Sequence, residues 1–237
     1  MKETVLKKIS KDIWVVEQSQ KYNKLEVGTR ITVIRLKDDH LMLISPINLS
    51  QALISAIGKL GVVSFIIAPN LMHHLYLNAC AKLFPSALVY VASGLEEKYK
   101  DLANLNILAK TAPKEWVDCV EQQYFHGFAV MEFNGPRLIN EVVFLHKSSQ
   151  TLILTDTAYN IGSTSPFLTK AVTMLLGSYN KLGPTLAEKL ASKDKALLLS
   201  SYRKIIKWPF EKVIMAHGEI VENNGKAKFI KGYNWLL

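Results

Sequence analysis

The 237-residue chain carries 29 Lys and Arg against 20 Asp and Glu, a net charge of +9, with 49% apolar and 21% charged residues. That apolar share supports a sizeable core and excludes a disordered chain, a disulfide scaffold and a coiled coil. The positive surplus is diffuse. Its densest patch, Tyr202 to Trp208, puts aromatics and isoleucines on one helical face and cations on the other, so a solvated helix face is expected and no nucleic-acid surface. No uncharged apolar run reaches the roughly 20 residues that span a bilayer. The stretch from Met1 to Lys8 lacks an uninterrupted hydrophobic segment, so no signal peptide is expected and the expected compartment is the cytoplasm. Cys80 and Cys119, far apart in the chain, read as free thiols.

In chain order, 12–17 reads as a short strand, and 28–37 and 40–45 as two strands joined at Asp38-Asp39, a hairpin signal. Asn48 or Ser50 caps a helix whose stripe is Leu53, Ile54, Ile57 and Leu60. Val62–Ala68 is a nearly continuous β-branched apolar run, the pattern of a strand buried on both faces. A helix from Leu71 or Met72 to about Leu83 and a buried strand over 87–92 follow. This βαβ rhythm predicts a largely parallel sheet covered by helices. Residues 95–102 read as a short helix and 123–133 as a loose strand. Glu141–His146 and 151–156 form a hairpin closed by 147–150. Residues 157–192 read as helical or irregular, 194–207 as helix, and 212–216 as a last strand. No linker interrupts the chain, so one domain over residues 1–237 is expected. The apolar tail Trp235-Leu236-Leu237 suits either internal packing or a homodimer contact.

The residues that carry chemistry cluster at strand ends, where layered α/β folds collect ligands. His73 and His74 follow the buried strand 62–68, Asp156 closes the strand 151–156, and His217 follows 212–216 with Gly218 behind it. With the turn centred between Ser148 and Ser149, Asp156 lies opposite Glu141, a pair of carboxylates that needs a cation, a proton or a histidine between them. His146, five residues from Glu141 and so roughly 16 Å away, falls outside that group. Imidazoles with carboxylates suit zinc, iron or manganese. The chain has no phosphate-binding loop, dinucleotide fingerprint or nucleophile elbow.

With these strand ends laid out, the chain resembles the metallo-β-lactamase-like hydrolase superfamily, in a divergent branch with a variant metal motif. The likeness runs through Ile13-Trp-Val-Val, the strand 62–68 leading into Pro69-Asn-Leu-Met-His-His74, Asp156 and Ile214-Met-Ala-His-Gly218. It implies a four-layered αβ/βα sandwich with metal at the rim between its halves, where water attacks an ester, amide or phosphoester. In that family's H-x-H-x-D-H signature, His74 matches the last histidine and His73 the aspartate. Pro69 and Leu71 replace the first two histidines. A further ligand position falls near Arg137, or Glu141 takes its role. Asp156 matches the bridging aspartate, with Thr155 in place of the usual glycine, and His217 the final histidine. The resemblance therefore implies at most one metal among His73, His74, Glu141, Asp156 and His217, with His74 and Asp156 as the catalytic pair. It leaves as the alternative a non-catalytic scaffold that binds a small anionic molecule or a protein. Arg137 is a candidate partner for an anionic substrate group, and Tyr159 and Asn160 are candidates for the pocket wall.

Overall fold

Alternation along the early strands sorts their side chains onto two opposed faces. In the computed structural model, which describes residues 5–22 and 24–237, Ile13 and Val15 point into one core while Trp14 and Val16 point into another. Residues 1–4 of the N-terminal stretch lie outside the described residues. The first half contains β1 (Lys7–Ser10), β2 (Ile13–Gln18), a small hairpin of β3 (Lys21–Tyr22) and β4 (Leu25–Glu26), β5 (Thr29–Arg35) and β6 (His40–Ile44). Helix α1 (Gln51–Gly58), β7 (Val62–Ala68), α2 (Leu77–Leu83), β8 (Leu88–Val91) and β9 (Leu105–Ile107) complete it. Seven of these strands form one sheet in the order β1-β2-β5-β6-β7-β8-β9, antiparallel up to β6 and parallel from β6 to β9.

The second half contributes β10 (Val120–Phe125), the hairpin β11 (Ala129–Glu132) and β12 (Gly135–Leu138), β13 (Glu141–His146) and β14 (Thr151–Ile153). Helices α3 (Phe167–Leu175), α4 (Leu186–Ala191) and α5 (Lys195–Ile205), strand β15 (Lys212–Ile214) and α6 (Gly225–Tyr233) follow. Its sheet runs β10-β13-β14-β15, with β14 and β15 parallel. The two sheets share a core in which Met42, Phe65 and Ile67 meet Val142, Phe144 and Ile214. A second core joins the first sheet to α1 and α2, and a third joins the other sheet to α5 and α6. The result is the four-layered αβ/βα sandwich that the resemblance implies.

Several elements differ from the sequence reading. The helix expected from Leu71 begins at Leu77, because the Asn70 side chain accepts the Met72 and His73 amides at 2.8 and 2.7 Å and shapes 70–76 into turns. The strand expected over 123–133 is two, broken at Gly127, whose φ is +83°. The short helix expected over 95–102 is one turn at Glu97–Tyr99. The basic patch lies on α5 as expected, with Tyr202 and Ile205 buried and Arg203 and Lys204 exposed. Of the tail, Trp235 and Leu236 pack against the third core. Among the described residues no helix is long and apolar enough to cross a membrane.

Candidate metal centre

Three elements deliver the cluster. β7 runs into the Asn70 turn that carries His73; β14 runs into 154–157 with Asp156; and β15 runs into His217. The first comes from one sheet and the other two from its partner, so the site lies at the rim between the halves. His73 Nε2 stands 3.2 Å from His217 Nε2 and 3.3 Å from Asp156 Oδ2, and His217 Nε2 stands 3.2 Å from Asp156 Oδ1. Ligands about 2.0–2.1 Å from a tetrahedral centre are about 3.3 Å apart. Two imidazole nitrogens and a carboxylate at this spacing fit one zinc, iron or manganese ion, and these three residues form a group able to hold it.

The outer nitrogens are fixed as a metal site requires. His217 Nδ1 lies 2.6 Å from the Gly28 carbonyl oxygen, to which it donates, leaving Nε2 to face the cluster. His73 Nδ1 lies 2.7 Å from Ser45 Oγ. Burial alone would lower the His73 pKa, but the adjacent Asp156 carboxylate outweighs it and raises that pKa. Burial would likewise push the Asp156 carboxyl up, yet His73 and His217 hold it well below the usual carboxylate range. Gly218 makes the bend behind His217 at φ +93°, where an added Cβ would stand 2.2 Å from the Asn160 carbonyl oxygen.

Glu141 is fully buried and close by, but it braces the site from behind. Its two oxygens accept from the Thr155, Asp156 and Thr157 amides, from Thr157 Oγ1 and from Asn70 Nδ2, at 2.7–3.1 Å. Asn70 Nδ2 also reaches Asp156 Oδ2 at 2.7 Å. What stands between the two carboxylates is the Asn70 amide, which donates to both, in place of the cation, proton or histidine expected there. Burial and the Asp156 charge raise the Glu141 pKa, against the pull of those donors.

His74, expected in the cluster, stays outside it. The turn set by Asn70 points its Nδ1 at Tyr99 Oη, 2.6 Å away, and the same hydroxyl donates to the His74 carbonyl at 2.9 Å. The position matching the family's aspartate, His73, thus joins the cluster, while the one matching its last histidine is turned toward Tyr99. His146 contacts Ser149 Oγ at 2.7 Å, on the far end of the hairpin as expected. Arg137 pairs with Glu132 at 3.2 Å across β11 and β12. Asn160 Nδ2 donates to the Glu219 carbonyl, while Tyr159 lies on the cavity wall with its ring 5.9 Å from that of His217.

Sequence reading missed three supports. Ser45 and Gly28 carry no motif. Arg30, buried, donates to the Met215 carbonyl, to that of Gly218 at 2.6 Å and to Glu17 at 2.7 Å, clamping the segment that bears His217. An arginine amid the apolar alternation of 29–35 is the signal that could have found it.

The cluster lies at a cavity of about 380 Å³ whose walls come from the β3–β4 hairpin, β11, α3 and α4. Leu25, Val27, Val130, Val172 and Leu176 make most of it apolar, and Lys21 and Glu188 add charge.

No curated protein matches the chain by sequence. Among solved structures, the DIM-1 metallo-β-lactamase exposed to ceftazidime superposes with TM-score 0.62 at 16% identity, covering 98% of this chain and 95% of that one. The metallo-β-lactamase of Pontibacter korlensis gives 0.62 at 14%, covering 98% of both. The FIM-1 enzyme of Pseudomonas aeruginosa in its mono-zinc form gives 0.59 at 10%, covering 98% and 94%. By sequence, residues 10–181 match the family described as a domain of unknown function, DUF4336. The chain therefore belongs to the DUF4336 family, and its fold is that of the metallo-β-lactamases.

Proposed function

We propose that the chain, acting as one domain, is a hydrolase using a single zinc, iron or manganese ion held by His73, Asp156 and His217. The observation that carries this reading is the meeting of two Nε2 atoms and a carboxylate at 3.2–3.3 Å beside an apolar cleft, with both outer imidazole nitrogens fixed. A divalent ion there supplies an acidified water and a Lewis acid for an ester, amide or phosphoester. The protein's own part is placement. Glu141 and Asn70 hold the Asp156 backbone and carboxylate, while Ser45 and Gly28 orient the imidazoles. Tyr159, on the cavity wall beside His217 and with its pKa raised by burial well above the ordinary tyrosine value, would keep its proton on Oη and could donate a hydrogen bond to a substrate oxygen. The apolar wall takes the body of the substrate, and Lys21 meets an anionic group on it.

The test is metal content after purification and after supplying zinc, iron and manganese. Near-stoichiometric metal is expected, lost in His73→Ala and His217→Ala, together with chelator-sensitive turnover on an ester, amide and phosphoester panel. No bound metal under any supplement overturns the reading. A second reading, a scaffold that binds a small molecule without turnover, draws support from Pro69 and Leu71, which close the family's first metal position. Metal binding without turnover on any panel member favours it.

A further inference from the structure

Helix α3 is inside out. It turns Thr169 and Thr173 inward, where Thr169 Oγ1 donates to the Glu26 carbonyl at 2.8 Å and Thr173 Oγ1 to the Thr169 carbonyl at 2.9 Å. Outward it shows Phe167, Leu168, Met174 and Leu175, with Phe167 83% and Leu175 84% exposed. With Ala171 these positions follow helical spacing and form one apolar stripe. The stripe continues onto α4, whose first residue is tied to α3 by the Leu186 amide donating to the Leu176 carbonyl at 3.1 Å. There Leu186 and Leu190 are exposed while Glu188 and Ala191 are buried. At the tip of the β11–β12 hairpin, which packs against α4, Phe133 is 94% exposed. Exposed apolar side chains gathered on neighbouring elements of a folded protein in this way mark an interaction site. The cleft opens among the same elements, since Val172, Leu176, Ala187 and Met131 line it.

The charge on this face selects the partner. Residues 163–194 carry Lys170, Lys181, Lys189 and Lys193 against two acids, the buried Glu188 and the exposed Asp194. On the neighbouring hairpin Arg137 and Glu132 neutralise each other. Apolar side chains standing proud of a helix, flanked by lysines that outnumber the exposed acids, suit burial into a headgroup region under the pull of anionic lipid. A two-fold contact with a second copy would instead set one lysine-bearing face against another of the same charge.

We propose that the face formed by α3, α4 and the β11–β12 tip docks on the surface of an anionic lipid bilayer, with the cleft mouth turned toward it. This goes beyond the metal-dependent reading, and co-sedimentation tests it without reference to metal or turnover.

The experiment spins the full chain with vesicles of phosphatidylglycerol and phosphatidylcholine, and with phosphatidylcholine alone. Binding to the anionic vesicles is expected, weakening as salt rises. The double variant Phe167→Asp with Leu175→Asp should lose at least about tenfold in partition. Lys181→Glu with Lys193→Glu should lose at least about twentyfold on anionic vesicles, since each lysine at such a surface changes partition roughly fivefold. All four positions are exposed, so thermal unfolding of both variants should match the parent and separate lost docking from lost fold. No binding to either vesicle, or equal binding to both, overturns the proposal. A solution dimer that the Phe167 and Leu175 substitutions dissociate assigns the face to a second copy and overturns it too.

Discussion

Five donors meet the Glu141 carboxylate, three of them peptide amides of the segment that aims Asp156. Glu141→Gln would turn an NH2 group toward those donors. Hydrogen bonds to a charged group are worth about 1.5–3 kcal/mol, so a loss of about 2–3 kcal/mol is expected, or roughly 5–10 °C in Tm for a chain of this size. Calorimetry checks it, and metal affinity should fall about 10–100-fold, as supports of metal ligands usually show. An unchanged Tm would mean that Glu141 does not brace the 155–157 turn. The adjacent histidines should separate cleanly. His74→Phe, which forfeits the Tyr99 contacts, should keep full metal stoichiometry at a cost of about 1 kcal/mol, whereas His73→Ala should abolish binding. Sequence spacing placed both imidazoles near a strand end. Only the side chain of Asn70, by setting the turn, decides which one faces Asp156.

At the level of elements, apolar periodicity found β2, β5, β6, β7 and β8 of one sheet and β13, β14 and β15 of the other, together with helix α2. Cys80 lies on the inward face of α2, and burial pushes its thiol up to about 12. In folded protein at pH 8, a thiol reagent should therefore label Cys119, the half-buried cysteine, and reach Cys80 only after denaturation. Two fast-reacting thiols would show that α2 is not packed against the sheet. The short pieces escaped the reading for a physical reason. β3, β4 and β9 have two or three residues each, too few for a period to register, and they exist because neighbours pair with their backbone. The start of α2 was misplaced because a side chain remote from any apolar stripe competes for its first amides. The character of α3 was hidden for the opposite reason. Its pattern reads as an ordinary amphipathic helix, and nothing local says that the apolar stripe faces outward.

For the whole molecule, the candidate ligands come from both halves of the sandwich, so an ion at the site would tie the two sheets and bind only the folded state. At a free zinc concentration 100 times Kd, stability should rise by about 2.7 kcal/mol, a Tm increase of roughly 5–10 °C, absent in His217→Ala. Differential scanning fluorimetry with and without zinc reads this directly, and an equal shift in the variant would place the ion elsewhere. The amino-acid sequence by itself determined the layered α/β class, the buried strands, the hairpin from Glu141 through Asp156, and the emergence of His73, Asp156 and His217 at strand ends. Each of these follows from periodicity and local chain chemistry. Tertiary structure alone decided that the Glu141 carboxylate meets the 155–157 amides and Asn70 and that His74 faces Tyr99. It also decided that Arg30 clamps the His217 segment and that α3 shows its apolar side to the outside. Those outcomes depend on which distant groups meet, and a pattern of residues along one chain does not contain that distance.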